Sequence, residues 1–358
     1  MNFDLSEEQQ LLQQTVSQFL EKECPVSVVR EIFEGDTGFD PALWKGMIEL
    51  GIGGLHISED YGGAGLEVID LALVAETLGY AAVPGPFLGH ALASLAIQLG
   101  GSDEQKKNWL PRLAAGDAIG TIALGEADGV WQPEQWMAKI DGKLTGRKLY
   151  VPYANLADVI IVGVAGAGLV LVERSAAGIE VSPFGGVDRS RRLDTLEFDS
   201  VAFEPLPDGR AVASRVRDAG LVLLAADAFS AGSRLVDMSV EYAKNREQFG
   251  VTIGHFQALK HQLANMAVEI EPARALFWYA AHAFDHIPEE AERAAAIAKA
   301  HCTDGAMRVA RSSVEAHGGI GFTWECDVQI WFKRVLFDRA FLGLPSFHRE
   351  RSAQLGDW

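Results

Sequence analysis

Helical periodicity that persists from residue 210 to the end of the chain most limits what this sequence can fold into. It predicts three long helices, over residues 220–250, 255–284 and 288–319. Pro288 is typical of the first turn of a helix, and Gly318 and Gly319 are typical of a helix end. Because apolar residues cover much of each helix surface, we expect the helices to be buried in a bundle that association with other chains extends.

Two segments with different residue patterns precede these helices. Residues 116–210 contain β-type runs separated by Gly, Asp and Ser, such as ADVIIVGV and GLVLVERS. Residues 1–115 carry short helices interrupted by Gly and Pro, and Ser6 with Gln9 forms a capping-box pattern at the first of them. We therefore predict an α+β protein with domains at 1–115, 116–210 and 211–358, which are helical, β and helical in that order.

Composition excludes several classes of protein. With 358 residues, of which 48% are hydrophobic, the chain can bury two or three cores. Its net charge of -18 argues against nucleic acid as a partner, because that polyanion requires clustered Lys and Arg. We find no apolar run near the roughly 20 residues of a membrane-spanning helix, and the start MNFDLSEEQQ lacks a signal-peptide pattern. We expect a cytoplasmic protein with no membrane and no nucleic-acid partner.

The sequence also gives little reason to expect a metal. Its three cysteines, Cys24, Cys302 and Cys326, are too few and too scattered for a disulfide framework or a zinc site, which fits a reducing compartment. His255 and His261 lack the ExxH companion that a di-iron carboxylate site in a bundle requires. We predict no metal ligands.

Three segments of the last third carry residues that could bind a ligand: NREQFG with Arg246, IGHFQALKH with Gln257, and EAHGGIGF over residues 315–322. Arg246 lies near a predicted helix end, where the helix dipole favours a cation whatever its function. Paired glycines let a partner backbone or a phosphate approach closely, although they also end helices. Taken singly, each segment therefore has a structural explanation, such as a cap or a surface ion pair, beside the functional one.

Taken together and in this order, these segments resemble the acyl-CoA dehydrogenase family. The match spans nearly the whole chain and is most specific in NREQFGVTIGHFQALKHQLANM and EAHGGIGFTWECD. The resemblance implies an N-terminal α-helical domain, a middle β-barrel or sandwich domain and a C-terminal four-helix bundle. It also implies FAD as cofactor and a 2-enoyl-CoA product. In that reaction a carboxylate removes the α-proton of an acyl-CoA while the β-hydrogen leaves as hydride to FAD.

The matching residues are those that, in the family, reach across to a neighbouring subunit and hold its FAD. By this resemblance the cofactor-binding residues are Arg246, Phe249, Phe256, Gln257, Glu315, Gly318 and Gly319. Glu315 departs from the Gln often found at its position.

The positions that would serve this chain's own flavin depart from the family pattern. The β-domain loop that elsewhere offers a hydroxyl and backbone to the flavin reads Gly-Glu-Ala-Asp at residues 125–128. The usual Trp and Thr of the following strand are Tyr150 and Pro152. Because proline has neither a hydroxyl nor a backbone N–H, we see no donor there for the flavin N5 atom.

The catalytic carboxylate is missing from both positions where the family carries it. Leu342 precedes Gly343 where many members have Glu, and the second position, on the first long helix, falls at Gly220. We therefore predict no catalytic residue in this chain. The nearest carboxylates, Asp227 and Asp338, lie about two turns and one turn away and are better explained as caps, surface charges or ion-pair members.

This pattern resembles the smaller, Glu-less subunit of heterotetrameric (α2β2) bacterial acyl-CoA dehydrogenases. It implies a homologous subunit that carries the base, an acyl-CoA substrate, in steroid or bile-acid side-chain degradation, and an electron-transfer flavoprotein as acceptor. Two alternatives stay open. One is a homo-oligomeric acyl-CoA dehydrogenase that uses a non-standard base such as Asp227 or Asp338, and the other is a non-catalytic subunit that binds acyl-CoA or acts as a scaffold.

Overall fold

A computed structural model describes residues 4–356, which divide into two compact units. One unit comprises Met1–Glu31, Ala72–Val83 and Leu221–Trp358, and the other comprises Ile32–Leu71 and Pro84–Gly220. The outermost positions of the two predicted terminal domains, residues 1–3 and 357–358, lie outside the described residues. The predicted domain limits at 115 and 210 stay predictions.

Helices make up the described part of the chain before residue 115. They are α1 (Glu7–Glu23), α2 (Val26–Glu34), α3 (Pro41–Glu49), α4 (Val68–Tyr80), α5 (Phe87–Gly100) and α6 (Asp103–Ala114). The predicted capping box is present at α1, where Ser6 accepts from the Gln9 amide and the Gln9 side chain accepts from the Ser6 amide. A second capping box, Ser102 with Gln105, begins α6.

Two four-stranded sheets follow. The strands are β1 (Gly120–Ala123), β2 (Lys139–Asp141), β3 (Lys143–Pro152), β4 (Val159–Val164), β5 (Gly168–Glu173), β6 (Ile179–Phe184), β7 (Leu193–Val201) and β8 (Glu204–Pro205). Their orders are β1-β4-β5-β8 and β2-β3-β7-β6, and only the β1–β4 pairing is parallel among these sheet pairs of the described residues. Buried side chains of both sheets, including Ile160, Val162, Leu196 and Phe198, pack in one core, as in a sandwich.

Helices dominate again after residue 209. They are α7 (Gly209–Asn245), α8 (Gln257–Ile270), α9 (Ala273–His286), α10 (Pro288–His317), α11 (Val328–Ala340) and α12 (Pro345–Gln354). A short hairpin of β9 (Glu247–Gln248) and β10 (Val251–Thr252) lies between α7 and α8. The predicted α+β class, with helical, β and helical regions in that order, is confirmed.

The single helix predicted over 255–284 is wrong. The structure divides this segment into α8 and α9 at Glu271 and Pro272. Proline has no N–H for the helical hydrogen-bond ladder and its ring clashes with the preceding turn, so a helix that reaches it ends or bends. Apolar periodicity continues across the break, which is why the pattern alone did not reveal it.

The first predicted bundle helix has different ends in the structure. It begins at Gly209 instead of residue 220 and ends at Asn245 instead of residue 250. Arg246 therefore directly follows a helix end, near which it was expected, and residues 247–252 form a hairpin. Gln248 pairs with Val251, leaving Phe249 and Gly250 as a two-residue loop with φ values of 55° and 79°. Positive φ at both central residues is the type I′ geometry that joins two twisted strands tightly.

Helix α7 also contains a longer apolar stretch than we expected from the sequence. By length and composition alone it could cross a membrane, since it holds an 18-residue window of mean hydropathy 1.4. That window is 89% buried inside the fold, which is the behaviour of a core helix.

Candidate functional site

Arg246 lies where α7 ends and the β9–β10 hairpin begins. Its backbone N–H donates to the Tyr242 carbonyl at 2.8 Å, and its carbonyl accepts from the Ile253 amide at 2.7 Å. Both strands are thereby tied to the end of α7, while the Arg246 side chain stays exposed. Phe249 at the hairpin tip is 92% exposed and contacts Phe256 edge to face at a ring separation of 6.0 Å.

The N-terminus of α8 follows directly after this hairpin. Gln257 is its first residue, and Phe256, at the N-cap, offers no side-chain hydrogen bond to the first turn. The first helical bond closes from the Lys260 amide to the Phe256 carbonyl at 3.1 Å. The amides of residues 257–259 therefore lack a side-chain cap, and such a helix start attracts phosphate through its N–H groups and its dipole.

The EAHGGIGF segment forms the end of α10 and the short 3-10 turn after it. Glu315, Gly318 and Gly319 are exposed, and Gly318 has a φ of 65°. A Cβ atom added at either glycine would meet no atom of the described residues within 4 Å. Packing within this chain does not require the Gly319 position to be glycine, so the segment leaves room for a group that this chain does not supply.

Three contacts bring these segments to the same end of their unit. The ring of Tyr242 on α7 stacks on that of His317 on α10 at 4.5 Å, and Ser239 hydrogen bonds Ser313 at 2.8 Å. Gln262 of α8 adds a bond to the Ser312 carbonyl at 3.1 Å. All three motif segments therefore begin from helix ends that are fixed to each other.

His317 is part of this support and not of the exposed surface. Its Nδ1 atom lies 2.8 Å from the Ser313 carbonyl, and burial lowers its pKa. This is the backbone-satisfied role of a helix-end histidine. Sequence reasoning missed Tyr242, although it lies about one helical turn before Arg246, near the end of α7.

Exposed apolar side chains surround the motif residues. In addition to Phe249, they are Phe256 at 38%, Ile320 at 43% and Phe322 at 74% exposure. Ile320 and Phe322 were also missed, because apolar residues in a sequence are read first as core. A cluster of apolar side chains beside exposed polar groups is typical of a surface that another chain covers.

In the other unit, the loop expected to face a flavin turns its carboxylate inward. Glu126 is 2% exposed, lies 2.6 Å from Lys148 Nζ, and accepts hydrogen bonds from the Met137 and Ala138 amides at 2.7 and 3.0 Å. Burial, the largest effect on Lys148, lowers its pKa to about 8 even beside Glu126. With these partners the carboxylate is used to hold the loop together.

In the following strand, β3, the two residues at the family's Trp and Thr positions also make contacts within the fold. Tyr150 has a φ of 59° and packs edge to face on Phe184 at 4.7 Å, with Trp131 at 5.5 Å. The Pro152 carbonyl accepts a short hydrogen bond from Thr121. Neither residue brings a hydroxyl to the place of the family's threonine.

The turn that carries Leu342 is held by two side chains and has no carboxylate at that position. Leu342 is fully buried with a φ of 59°, and its carbonyl lies 3.0 Å from His348 Nε2. Lys299, also buried, donates to the Asp338, Arg339 and Gly343 carbonyls. Burial lowers the pKa of Lys299 to about 7. These bonds cap the end of α11, where a cation is favoured.

The two nearest carboxylates are buried within their unit. Asp227 receives hydrogen bonds on both oxygens from Arg334, each at 2.7 Å, and the two side chains are 5% and 2% exposed. Asp338 is fully buried on α11, near the Lys299 ammonium. A base must reach a substrate proton with a free lone pair, and a bidentate arginine pair leaves Asp227 poorly suited to that task. The ion-pair interpretation fits Asp227.

No group of three or more His, Cys, Asp or Glu residues among residues 4–356 is arranged to hold a metal ion.

Comparison with known proteins identifies both ends of the chain. The family model for the acyl-CoA dehydrogenase N-terminal domain matches residues 6–117, and that for the C-terminal domain matches residues 208–354. Acyl-CoA dehydrogenase IpdE2 of Mycolicibacterium smegmatis is 35% identical over 342 residues, which cover 95% of this chain and 96% of that protein.

Solved structures give the same result. A variant of the Tcur3481-Tcur3483 steroid ACAD is 29% identical with a TM-score of 0.91, and the match covers 98% of both chains. The ChsE4-ChsE5 complex from Mycobacterium tuberculosis is 26% identical with a TM-score of 0.89, over 99% of this chain and 98% of that one. Acyl-CoA dehydrogenases are FAD-binding proteins.

Proposed function

The chain belongs to the acyl-CoA dehydrogenase family, and from that premise we propose that it is one subunit of a two-chain enzyme, holding its partner's FAD without supplying a catalytic base. One observation carries the proposal. The motif residues at the end of α7, the start of α8 and the end of α10 are exposed, whereas the Glu126 and Asp227 carboxylates are both bound within the fold.

The exposed segments fit a dinucleotide in charge and shape. The uncapped α8 N-terminus and the Arg246 guanidinium suit a pyrophosphate, and Gly318 and Gly319 allow a backbone or an adenine ring to come close. Gln257 has an amide that can both donate and accept. Glu315 can only accept while ionised, so we assign it to a hydroxyl or amino group of the cofactor and not to a phosphate.

The reaction of the assembly would convert an acyl-CoA to a 2-enoyl-CoA. FAD supplies the capacity to accept a hydride from the β-carbon, while a carboxylate takes the α-proton. We place that carboxylate on the homologous partner, because Leu342 and Gly220 cannot take a proton. This chain would bind and orient the partner's cofactor and exclude water from it with Phe249 and Phe322.

The proposal also covers the substrate and the electron acceptor. Similarity to a steroid ACAD and to the ChsE4-ChsE5 complex supports steroid or bile-acid side-chain degradation and a hetero-oligomer. An electron-transfer flavoprotein is the acceptor we propose for the reduced cofactor. We propose a cytoplasmic location, and in the described residues none of the three cysteines forms a disulfide.

The test is to co-express the chain with a homologous, Glu-bearing acyl-CoA dehydrogenase chain and to vary Arg246. Removing a charge-assisted bond to a phosphate costs about 1.5–3 kcal/mol, so Arg246→Met should weaken FAD binding by the complex about tenfold or more. Arg311→Met, an exposed arginine of α10 outside the motif, is the matched control. Equal FAD affinity in the two variants would refute the donated contact.

The colour of the purified proteins separates the alternatives. A yellow protein from this chain alone would support a homo-oligomer, and yellow colour only on co-expression would support the two-chain enzyme. A colourless complex would support the third alternative, a non-catalytic scaffold subunit.

A further inference from the structure

A cavity of about 730 Å³ lies within the unit made of Met1–Glu31, Ala72–Val83 and Leu221–Trp358. Its walls come from α1, α4, the middle of α7, the α8–α9 junction and α11. The volume falls in the range of small-molecule sites, roughly 300–1,000 Å³. The cavity includes no residue of the proposed cofactor surface, so what it binds does not depend on the proposed function.

The lining is apolar at its base. Leu20, Phe229, Ile270 and Trp331 are each at most 2% exposed and come from four different helices. They give the cavity a rigid apolar wall that can contact the body of a ligand. Small side chains, among them Ser233 and Ala81, keep the space above this wall open.

Two arginines line the cavity, and one of them, Arg234, has no carboxylate partner within residues 4–356. The Arg234 guanidinium lies over the rings of Tyr80 and Trp331, at 5.4 and 5.5 Å. Its polar neighbour is the Tyr80 hydroxyl. Arg274 lies over the Phe229 ring at 4.9 Å and forms long ion pairs with Glu76 and Glu271, at 3.6 and 4.0 Å. Its buried Nε makes no hydrogen bond in the described part of the chain.

The carboxylates of the cavity limit the charge of a ligand. Asp237 already accepts from the Tyr80 hydroxyl at 2.7 Å, and Glu76 accepts from Gln13 at 3.0 Å while burial raises its pKa. Glu21 and Glu271 add two exposed carboxylates at the rim. The lining thus holds four carboxylates against two arginines, so a polyphosphate such as the nucleotide part of CoA would be repelled. A single carboxylate can still pair with Arg234, which has no carboxylate partner within residues 4–356.

We propose that this cavity is a binding site for an organic monocarboxylate with a bulky apolar body. The carboxylate pairs with Arg234, which lies over the rings of Tyr80 and Trp331, and takes a further bond from Arg274. The apolar body lies on Leu20, Phe229 and Ile270. The cavity therefore selects a free acid over its CoA thioester.

The test uses 1-pyrenebutyrate, which has one carboxylate on a rigid apolar body, and isothermal titration calorimetry on the protein as purified. We expect saturable binding, at least about tenfold weaker binding of the uncharged 1-pyrenebutanol, and no binding of CoA to this site. Arg234→Met should also weaken 1-pyrenebutyrate binding about tenfold. Arg311→Met, exposed and remote from the cavity lining, should leave it unchanged.

A second variant tests the site by filling the cavity, without removing a salt bridge. Ser233→Trp places an indole in the open space and should abolish binding while far-ultraviolet circular dichroism remains that of the parent. Absence of saturable 1-pyrenebutyrate binding would overturn the proposal. So would equal affinity for the acid and the alcohol, or binding that both Arg234→Met and Ser233→Trp leave intact.

Discussion

At the scale of single residues, the functional information in this chain lies in which polar groups are used within the fold. Arg246 and Gln257 could be found from the sequence because they stand in short, specific motifs. The pairing of Asp227 with Arg334 could not, since 107 residues separate the partners and no local pattern joins them. For the same reason the inward turn of Glu126 toward Lys148 was not predictable.

The Asp227–Arg334 pair gives the first prediction. Arg334→Met leaves a buried carboxylate without its counter-ion and should lower the free energy of unfolding by about 3–5 kcal/mol. Asp227→Asn combined with Arg334→Met should recover a part of that loss. Chemical denaturation of the three proteins measures it. If Asp227→Asn alone removed turnover while stability and FAD content were kept, Asp227 would be a base after all.

Two buried histidines give a prediction about pH. Burial lowers the pKa of His56 to about 3 and that of His90 to about 4, so both are neutral in the folded state. Below pH about 6.5 the unfolded chain binds protons that the folded chain refuses, and stability is lost as pH falls toward 4. Each contributes about 1.4 kcal/mol per pH unit over that interval.

Denaturation at pH 7, 6 and 5 checks this dependence. His90→Gln should show a smaller loss of stability between pH 7 and 5 than the parent, by roughly one histidine's share. An unchanged pH slope would mean that His90 is already charged in the folded protein.

At the scale of elements, the sequence predicted what local pattern determines and failed where backbone geometry intervenes. The strands between residues 116 and 210, the α1 capping box and the Pro288 start of α10 follow from local pattern. The type I′ hairpin does not, because apolar periodicity runs through it. The same periodicity hid the break between α8 and α9, although Pro272 is a local signal for it. The hairpin matters most, since it moves Arg246 from a helix to the base of a projecting loop.

The hairpin tip predicts a conflict between stability and function. Phe249 holds a left-handed conformation that costs a bulky L-residue roughly 1–2 kcal/mol and is 92% exposed. Phe249→Asn should raise the free energy of unfolding by about 0.5–1 kcal/mol, because Asn tolerates this conformation. The same change should weaken FAD binding by the two-chain complex.

Phe322→Asn is the matched control for this substitution. Phe322 is 74% exposed and its φ is not positive, so its replacement should not stabilise the chain. Equal stability effects of the two changes would show that backbone strain at Phe249 is not the cause.

At the scale of the whole molecule, the order of helical, β and helical regions was readable from pattern, and the family followed from motifs in that order. The acyl group could not be read, because under the proposed function the residues that would select it belong to another chain. What this chain shows is an asymmetry. The segments that we propose contact a neighbour's cofactor are exposed, while the Glu126 and Asp227 carboxylates form ion pairs within the fold.

Counting flavin per chain tests this asymmetry most directly. The chain is purified alone and, separately, together with a homologous, Glu-bearing chain, and bound flavin is measured by absorbance against protein concentration. We predict a colourless protein alone and one flavin for each pair of unlike chains in the complex. One flavin per chain in the protein purified alone, together with oxidation of an acyl-CoA without a second polypeptide, would contradict the two-chain enzyme.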